Sequence, residues 1–175
     1  MRHPEVIKGM IMTNCGLNLN ERDSSWILKA CEILGVTDTK PYTDESISAN
    51  KRINRIFKEL RNKDLFWKIG YASKMNKEIM DSSFKEISNW NKDFEKRAES
   101  IKDYWVDFKK YTQDMKMPVL FFYGINDWMV GPEHYKGVNF PNMILWGSDV
   151  GHVPFLENKT DLEKAIKSYI NKFNF

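Results

Sequence analysis

Two short stretches of this 175-residue chain combine residue types that can hand a proton from one group to another. The first, Gly124-Ile125-Asn126-Asp127-Trp128-Met129-Val130-Gly131-Pro132, follows the apolar run Val119 to Tyr123. The second, Gly147-Ser148-Asp149-Val150-Gly151-His152-Val153-Pro154, follows the run Asn142 to Trp146. A carboxylate on one loop and an imidazole on the next can meet above the ends of two strands. The carboxylate then fixes the imidazole tautomer and stabilises the imidazolium that forms as a proton is transferred. Asp127 and His152 are therefore the candidate catalytic pair. Asp127 alone is also an ordinary turn residue, because Asn-Asp pairs favour loops, and His152 alone could be a hydrogen-bonded loop histidine. Gly151, which permits close backbone approach, and Pro154, which stiffens the loop, favour the functional reading of His152.

Other polar residues have less context. His3 and His134 read as surface or packing residues. Asp149 is a rival acid, but it shares a loop with the histidine and is expected to cap that turn. Trp128 follows the acid directly and is a candidate for lining a substrate pocket; an ordinary core tryptophan fits its position equally well. Cys15 lies just past the first strand, facing the expected site, and is at best pocket lining. A cysteine nucleophile there would need an elbow turn and an oxyanion hole, and neither is visible. The reading calls for no metal and no cofactor.

The elements that must position these residues are legible in the apolar pattern. Val6 to Thr13, bounded by Pro4 and by Asn14-Cys15-Gly16, suits a short buried strand better than a helix. From Glu21 to about Met115 the period becomes helical. Trp26, Ile27, Ala30, Cys31 and Leu34 share a face, with Gly35 as the stop. Asp44 precedes a second helix through Ile53, Ile56, Phe57 and Leu60. Asp64 is placed to cap a third through Phe66, Ile69 and Met75, and a fourth runs through Ile79 and Phe84. Phe94 to Met115 reads as one long amphipathic helix, with Ile101, Tyr104, Trp105, Phe108 and Tyr111 close to a single stripe. After Met117 the pattern is α/β: strands over Val119 to Tyr123 and Asn142 to Trp146, an irregular piece opened by Pro132, and a last helix over Thr160 to Phe173 with a Thr160–Glu163 capping box. Such alternation implies parallel strands joined by right-handed crossovers. There is no internal repeat and no low-complexity linker.

Composition excludes several classes. The hydrophobic fraction is 42% and the charged fraction 29%, ordinary for a globular chain with a core. Net charge is +3, with lysines interleaved among acids, so there is no basic stripe for nucleic acid. No apolar run is long enough to span a bilayer, and Met-Arg-His-Pro-Glu lacks the apolar centre of a secretory signal. Two cysteines do not make a disulfide framework, and the expectation is two reduced thiols in a cytoplasmic protein.

The loops and their order carry a resemblance. P-V-L-F-F-Y-G-I-N-D resembles the strand and loop that deliver the triad acid in α/β-hydrolases, and G-H-V-P-F-L-E-N followed by a helix resembles the loop that delivers their histidine. R-H-P-E-V-I-K-G-M-I-M-T-N is similar to the segment after the nucleophile helix of that family, running into the sixth strand. Glu157 completes the family's G-H-x-P-x-x-E pattern, in a structural role. The resemblance covers essentially the whole chain, is strongest over Met117 to Phe173, and leans weakly toward proline iminopeptidase-like peptidases. It implies the C-terminal portion of an α/β-hydrolase fold: about three parallel strands with flanking helices, a partial core over residues 1–20 and 116–175, and a helical lid with a connecting helix over 21–115. It also implies a serine hydrolase acting on a small ester, amide or short peptide.

One part of that family's machinery is missing. The nucleophile belongs on a strained G-x-S-x-G turn, upstream of the acid and the histidine. No such string occurs; Gly147-Ser148-Asp149-Val150-Gly151 has the wrong spacing. Losing the oxyanion donors alone costs about 10²–10³ in rate, so the chain by itself is expected to be a truncated or inactive form. A broken gene, or a start assigned inside a longer frame, would explain it, with Met1 then internal to the nucleophile helix. The alternative is a non-catalytic binding domain, or a half that pairs with a separately encoded N-terminal part or with itself through an exposed strand edge.

Overall fold

A computed structural model describes residues 6–89, 91 and 93–175; His3 lies outside them. The organising element is β2 (Val119–Gly124), which forms parallel pairs with β1 (Met10–Thr13) on one side and β3 (Met143–Ser148) on the other. The sheet order is thus β1-β2-β3. β2 is a run of apolar residues without polar alternation because both its faces are covered. Leu120 and Phe122 turn to one side, where they pack with Val150, Ala165 and Tyr169. Val119 and Phe121 turn to the other, against Val138 and Phe140. This is the two-residue period of a strand with a core on each face.

The first of these faces is closed by the C-terminal helix α7 (Lys159–Phe173), preceded by the single turn α6 (Pro154–Glu157). The expected Thr160–Glu163 capping box does not form. Asn158 is the cap instead, its side chain accepting from the amide of Asp161 at 3.1 Å, which starts the helix one residue earlier.

Between β1 and β2 runs a helical segment with its own core. It comprises α1 (Leu19–Leu34), α2 (Lys40–Thr43), α3 (Ala49–Asn62), α4 (Lys74–Lys85) and α5 (Phe94–Glu99). Gly35 ends α1 as expected, in the left-handed conformation at φ 66°. Ile53, Ile56, Phe57 and Leu60 of α3 meet Ile27, Ala30 and Cys31 of α1, the i, i+3, i+4, i+7 stripe that buries one side of a helix.

Three expectations for β1 and this segment are corrected. The first strand begins at Met10 rather than Val6, where the ladder starts with Met10 N donating to Pro118 O. Asp64 caps no helix: its own φ is 55°, only a 3₁₀ turn (Phe66–Ile69) follows, and α4 starts separately on the side chain of Ser73. The long helix over Phe94 to Met115 is broken into α5 and two 3₁₀ turns, Lys102–Trp105 and Lys109–Asp114. The backbone groups a continuous helix would use have other partners. Trp105 Nε1 donates to Glu99 O, Asp107 Oδ1 accepts from Lys109 N, and Phe108 N donates across to Leu17 O. The supposed apolar stripe consequently faces outward in part, with Ile101 56% exposed.

Candidate active site

The two loops singled out in the sequence are adjacent. β2 and β3 run parallel with Gly124 opposite Ser148, so the chain leaves both strands at the same end of the sheet. Asn126 N then donates to Val150 O at 3.1 Å, and the side chain of Asn126 donates to Asp149 Oδ1 at 2.6 Å. Asp149 therefore pins the acid loop to the histidine loop. It is not the acid that meets the imidazole.

That acid is Asp127. Its Oδ2 lies 3.0 Å from His152 Nδ1, and its Oδ1 accepts from the amide of Met129, also at 3.0 Å. Asp127 is 0% exposed, whereas the His152 side chain is 36% exposed. A carboxylate oxygen can only accept, so Nδ1 carries the proton and the lone pair of a neutral His152 is on Nε2. Nε2 has no hydrogen-bond partner among the described residues. Burial pulls the pKa of His152 down, but the hydrogen bond and charge of Asp127, with the charge of Glu157 behind them, outweigh it and leave the value raised. A base oriented by a buried carboxylate and open on its second nitrogen is suited to accept and return a proton at Nε2.

Three residues hold this pair in place, and only one of them stood out in the sequence. Glu157 accepts from Gly151 N with one oxygen and from Ala72 N, at 2.9 Å, with the other, so it fastens the histidine loop to the helical segment. Gly70 O accepts from His152 N at 2.6 Å. A side chain at Gly70 would run into Met129, beside His152 Cβ. Asn14, just past β1, does the most. Its Oδ1 accepts from Gly124 N at 2.8 Å and its Nδ2 donates to Gly151 O at 2.7 Å. It is buried and held at φ 50°, a left-handed conformation that asparagine tolerates better than most residues. The sequence signal for it was an Asn directly after a strand, which also reads as a plain turn. Asn14→Gly keeps the backbone conformation but leaves Gly124 N and Gly151 O without their partners. It should cost about 1–3 kcal/mol in a urea melt. Asn14→Ala should cost about 1 kcal/mol more, because φ is then strained as well.

The remaining sequence candidates lie around the pair. Cys15 Sγ donates to Thr13 O at 3.3 Å, and burial, reinforced by the Asp127 charge, pushes its thiol pKa up. It is a neutral neighbour of the acid, with nothing that would make it a thiolate. Trp128 lines a cavity of about 670 Å³ against α1, with the Lys29 ammonium 4.7 Å from its ring centre; neither Asp127 nor His152 borders that cavity. His134 borders it too and is buried. Its Nδ1 lies 2.6 Å from Gly131 O, Nε2 is buried without a partner, and burial pushes its pKa down, so it is a neutral packing residue. Cys15 and Cys31 are both free thiols. Among the described residues no group of histidine, cysteine and acidic side chains could hold a metal, and no helix is long and apolar enough to cross a membrane.

The sequence matches no family model and no curated protein. The fold does find relatives among solved structures. A proline iminopeptidase-related protein from Thermus thermophilus superposes with a TM-score of 0.62 at 13% identity, over 94% of this chain and 55% of that one. An alpha/beta fold family hydrolase from Bacillus anthracis superposes with a TM-score of 0.53 at 15% identity, over 95% of this chain and 60% of that one. The chain thus spans a little over half the length of these proteins. At such identities the likeness is one of architecture, and three parallel strands with flanking helices, superposed over nearly all of the chain, give it the α/β-hydrolase fold.

Proposed function

We propose that Asp127 and His152 are the acid and base of a serine-type hydrolysis of a small ester, amide or short peptide. The supporting observation is the 3.0 Å contact between a fully buried carboxylate and Nδ1 of a histidine that remains open to solvent. In this role Asp127 keeps the Nδ1–H tautomer and stabilises the imidazolium. His152 Nε2 takes the proton of the attacking hydroxyl and returns it to the leaving group. The helical segment acts as the lid over the site. The hydroxyl is not in this chain: no G-x-S-x-G occurs in it, so the serine comes from a part that completes the fold.

The edge of β1 is where that part would join. Among the described residues β1 pairs only with β2, and Ile11 on it is 45% exposed. Beside it opens an apolar cleft lined by Val6, Ile7, Tyr169, Ile170 and Phe175. Main-chain groups of an unpaired strand and an apolar cleft suit a further strand better than solvent. The proposed occupant is the N-terminal half of the fold, covalently continuous or separate.

One experiment addresses both statements. The 175-residue chain alone should not react with a fluorophosphonate probe. The chain supplied with an N-terminal half carrying the nucleophile turn, fused in register or added in trans, should label, and His152→Ala should reduce labelling at least a hundredfold. Undiminished labelling in His152→Ala sinks the acid–base assignment. Ile11→Lys should prevent assembly of the added half; assembly that ignores it, or a chain that instead pairs with itself through this edge, sinks the docking assignment.

A further inference from the structure

A second cavity, of about 480 Å³, opens inside the helical segment, between α1, α3 and the acid loop. Its lining has a definite chemistry. Trp26, Phe57 and Phe66 form an aromatic wall, with Trp26 and Phe57 centroids 5.1 Å apart and Phe57 and Phe66 5.0 Å apart. Along α3, Asn50, Asn54, Phe57 and Arg61 all line it. Their spacing of four, three and four residues keeps them on one helix face, so two amides, a ring and a guanidinium succeed one another along the cavity.

The two arginines and two carboxylates around it are unevenly paired. Arg22 also lines the cavity, but its guanidinium is engaged by the buried carboxylate of Asp23 at 3.0 Å, and Glu99 stands 3.9 Å away. Arg61 has no carboxylate partner among the described residues. Its guanidinium lies over Phe66, 4.7 Å from the ring centre, and 5.9 Å from that of Phe57. Stacking of this kind orients a guanidinium and leaves its N–H fork available for a bidentate anion. A single unpaired fork above an aromatic wall fits a flat apolar body that ends in a carboxylate.

Neither Asp127 nor His152 lines the cavity, but Met129 links it to them. Met129 borders it; its amide is held by Asp127 Oδ1 and its carbonyl accepts from Trp26 Nε1 at 2.9 Å. Met129 is the residue that a side chain at Gly70 would strike, beside His152. We infer that this cavity is the substrate-binding pocket of the proposed hydrolase and selects compounds with an anionic end, read by Arg61, remote from the bond to be cleaved. The assignment of that remote end rests on the acid–base reading above. The affinity for the anion does not.

The test is therefore an equilibrium titration of the chain as it stands, with naphthalene-2-carboxylate as the probe and tryptophan fluorescence as the readout. Saturable binding is expected, weakened by added salt and weakened about tenfold or more in Arg61→Gln, which removes a charge-assisted hydrogen bond from an exposed side chain. Naphthalen-2-ylmethanamine should bind at least tenfold more weakly than the carboxylate. Equal binding of the carboxylate by Arg61→Gln overturns the proposal. So does a preference for the amine, which would make Glu99 the reading group. No turnover is needed, so a chain that binds the carboxylate while the labelling experiment fails keeps the anion site at Arg61 and loses its assignment as the substrate pocket of a hydrolase.

Discussion

In Asp127→Asn, the imidazole of His152 titrates at lower pH than in the parent chain, and a form of the protein supplied with its serine loses most of its rate. Asparagine has nearly the shape of aspartate, and its carbonyl oxygen can still accept from Met129 N, so the loop has no reason to move. What disappears is the charge. Burial then acts on His152 opposed only by the more distant Glu157, and the raised pKa falls. An amide nitrogen facing Nδ1 also favours the wrong tautomer, with the lone pair turned away from the nucleophile. In a serine protease triad this substitution costs about 10⁴-fold in kcat. The pKa change is read by NMR titration of the His152 ring protons, which needs no activity. An unchanged titration curve would mean that Asp127 does not govern His152.

The same pair sets the sign of a pH effect on stability. A histidine whose folded pKa is raised above its unfolded value near 6.5 stabilises the fold through its protonated form. That contribution is complete below the unfolded pKa and is lost as the pH rises through the folded one. Urea melts should therefore show the parent ahead of Asp127→Asn by more at about pH 5.5 than at about pH 8.5, on either side of the ordinary histidine range.

Gly124→Ala is the second substitution with a large expected effect, on folding rather than chemistry. A methyl group at this position would meet Val150 O and, at 2.6 Å, Gly151 O. Both are backbone atoms with other obligations: Val150 O accepts from Asn126 N and Gly151 O from Asn14 Nδ2. Gly124 itself sits at the end of the central strand, with its own amide held by Asn14. No side chain can rotate aside to make room. Overpacking against a fixed backbone typically costs about 1–3 kcal/mol and occasionally more, and relief would come by pushing the histidine loop off the acid loop. A urea melt should register the loss, and the His152 titration should shift toward that of Asp127→Asn. A variant as stable as the parent would show that the two loops are not packed as closely as described.

The contrast between what was and was not legible in the sequence follows from where each signal is encoded. β2 was readable because a strand covered on both faces must be apolar at every position. The acid and histidine were readable because they follow strand ends in order. Gly35 marked the end of α1 through a backbone conformation that the residue type announces. The long helix over Phe94 to Met115 looked equally plain from its period, yet it does not form. Periodicity cannot register that Leu17, far away in the chain, takes the amide of Phe108, or that the side chain of Asp107 takes the amide of Lys109. Asn14 escaped for a related reason. Its two partners, Gly124 and Gly151, are brought to it only when three separate segments have assembled, and nothing in the string Asn14-Cys15-Gly16 distinguishes a clamp from a turn. The pocket on α3 was hidden in its helix pattern, whose apolar period picks out Phe57 and passes over Asn50, Asn54 and Arg61.

The bond from His152 N to Gly70 O, with the bridge from Ala72 N through Glu157 to Gly151 N, bears on how the molecule can move. A cover that swings away from a site must not be riveted to it, and here the rivets sit on the imidazole-bearing loop itself. The stretch Gly70–Ala72 behaves as a door jamb. The wall next to the histidine is tied to the helical segment at this stretch. The amide proton of His152 is then a gauge of that wall: it exchanges with solvent only when the jamb works loose. A molecule that ties the helical segment down more firmly would slow its exchange without ever touching the imidazole.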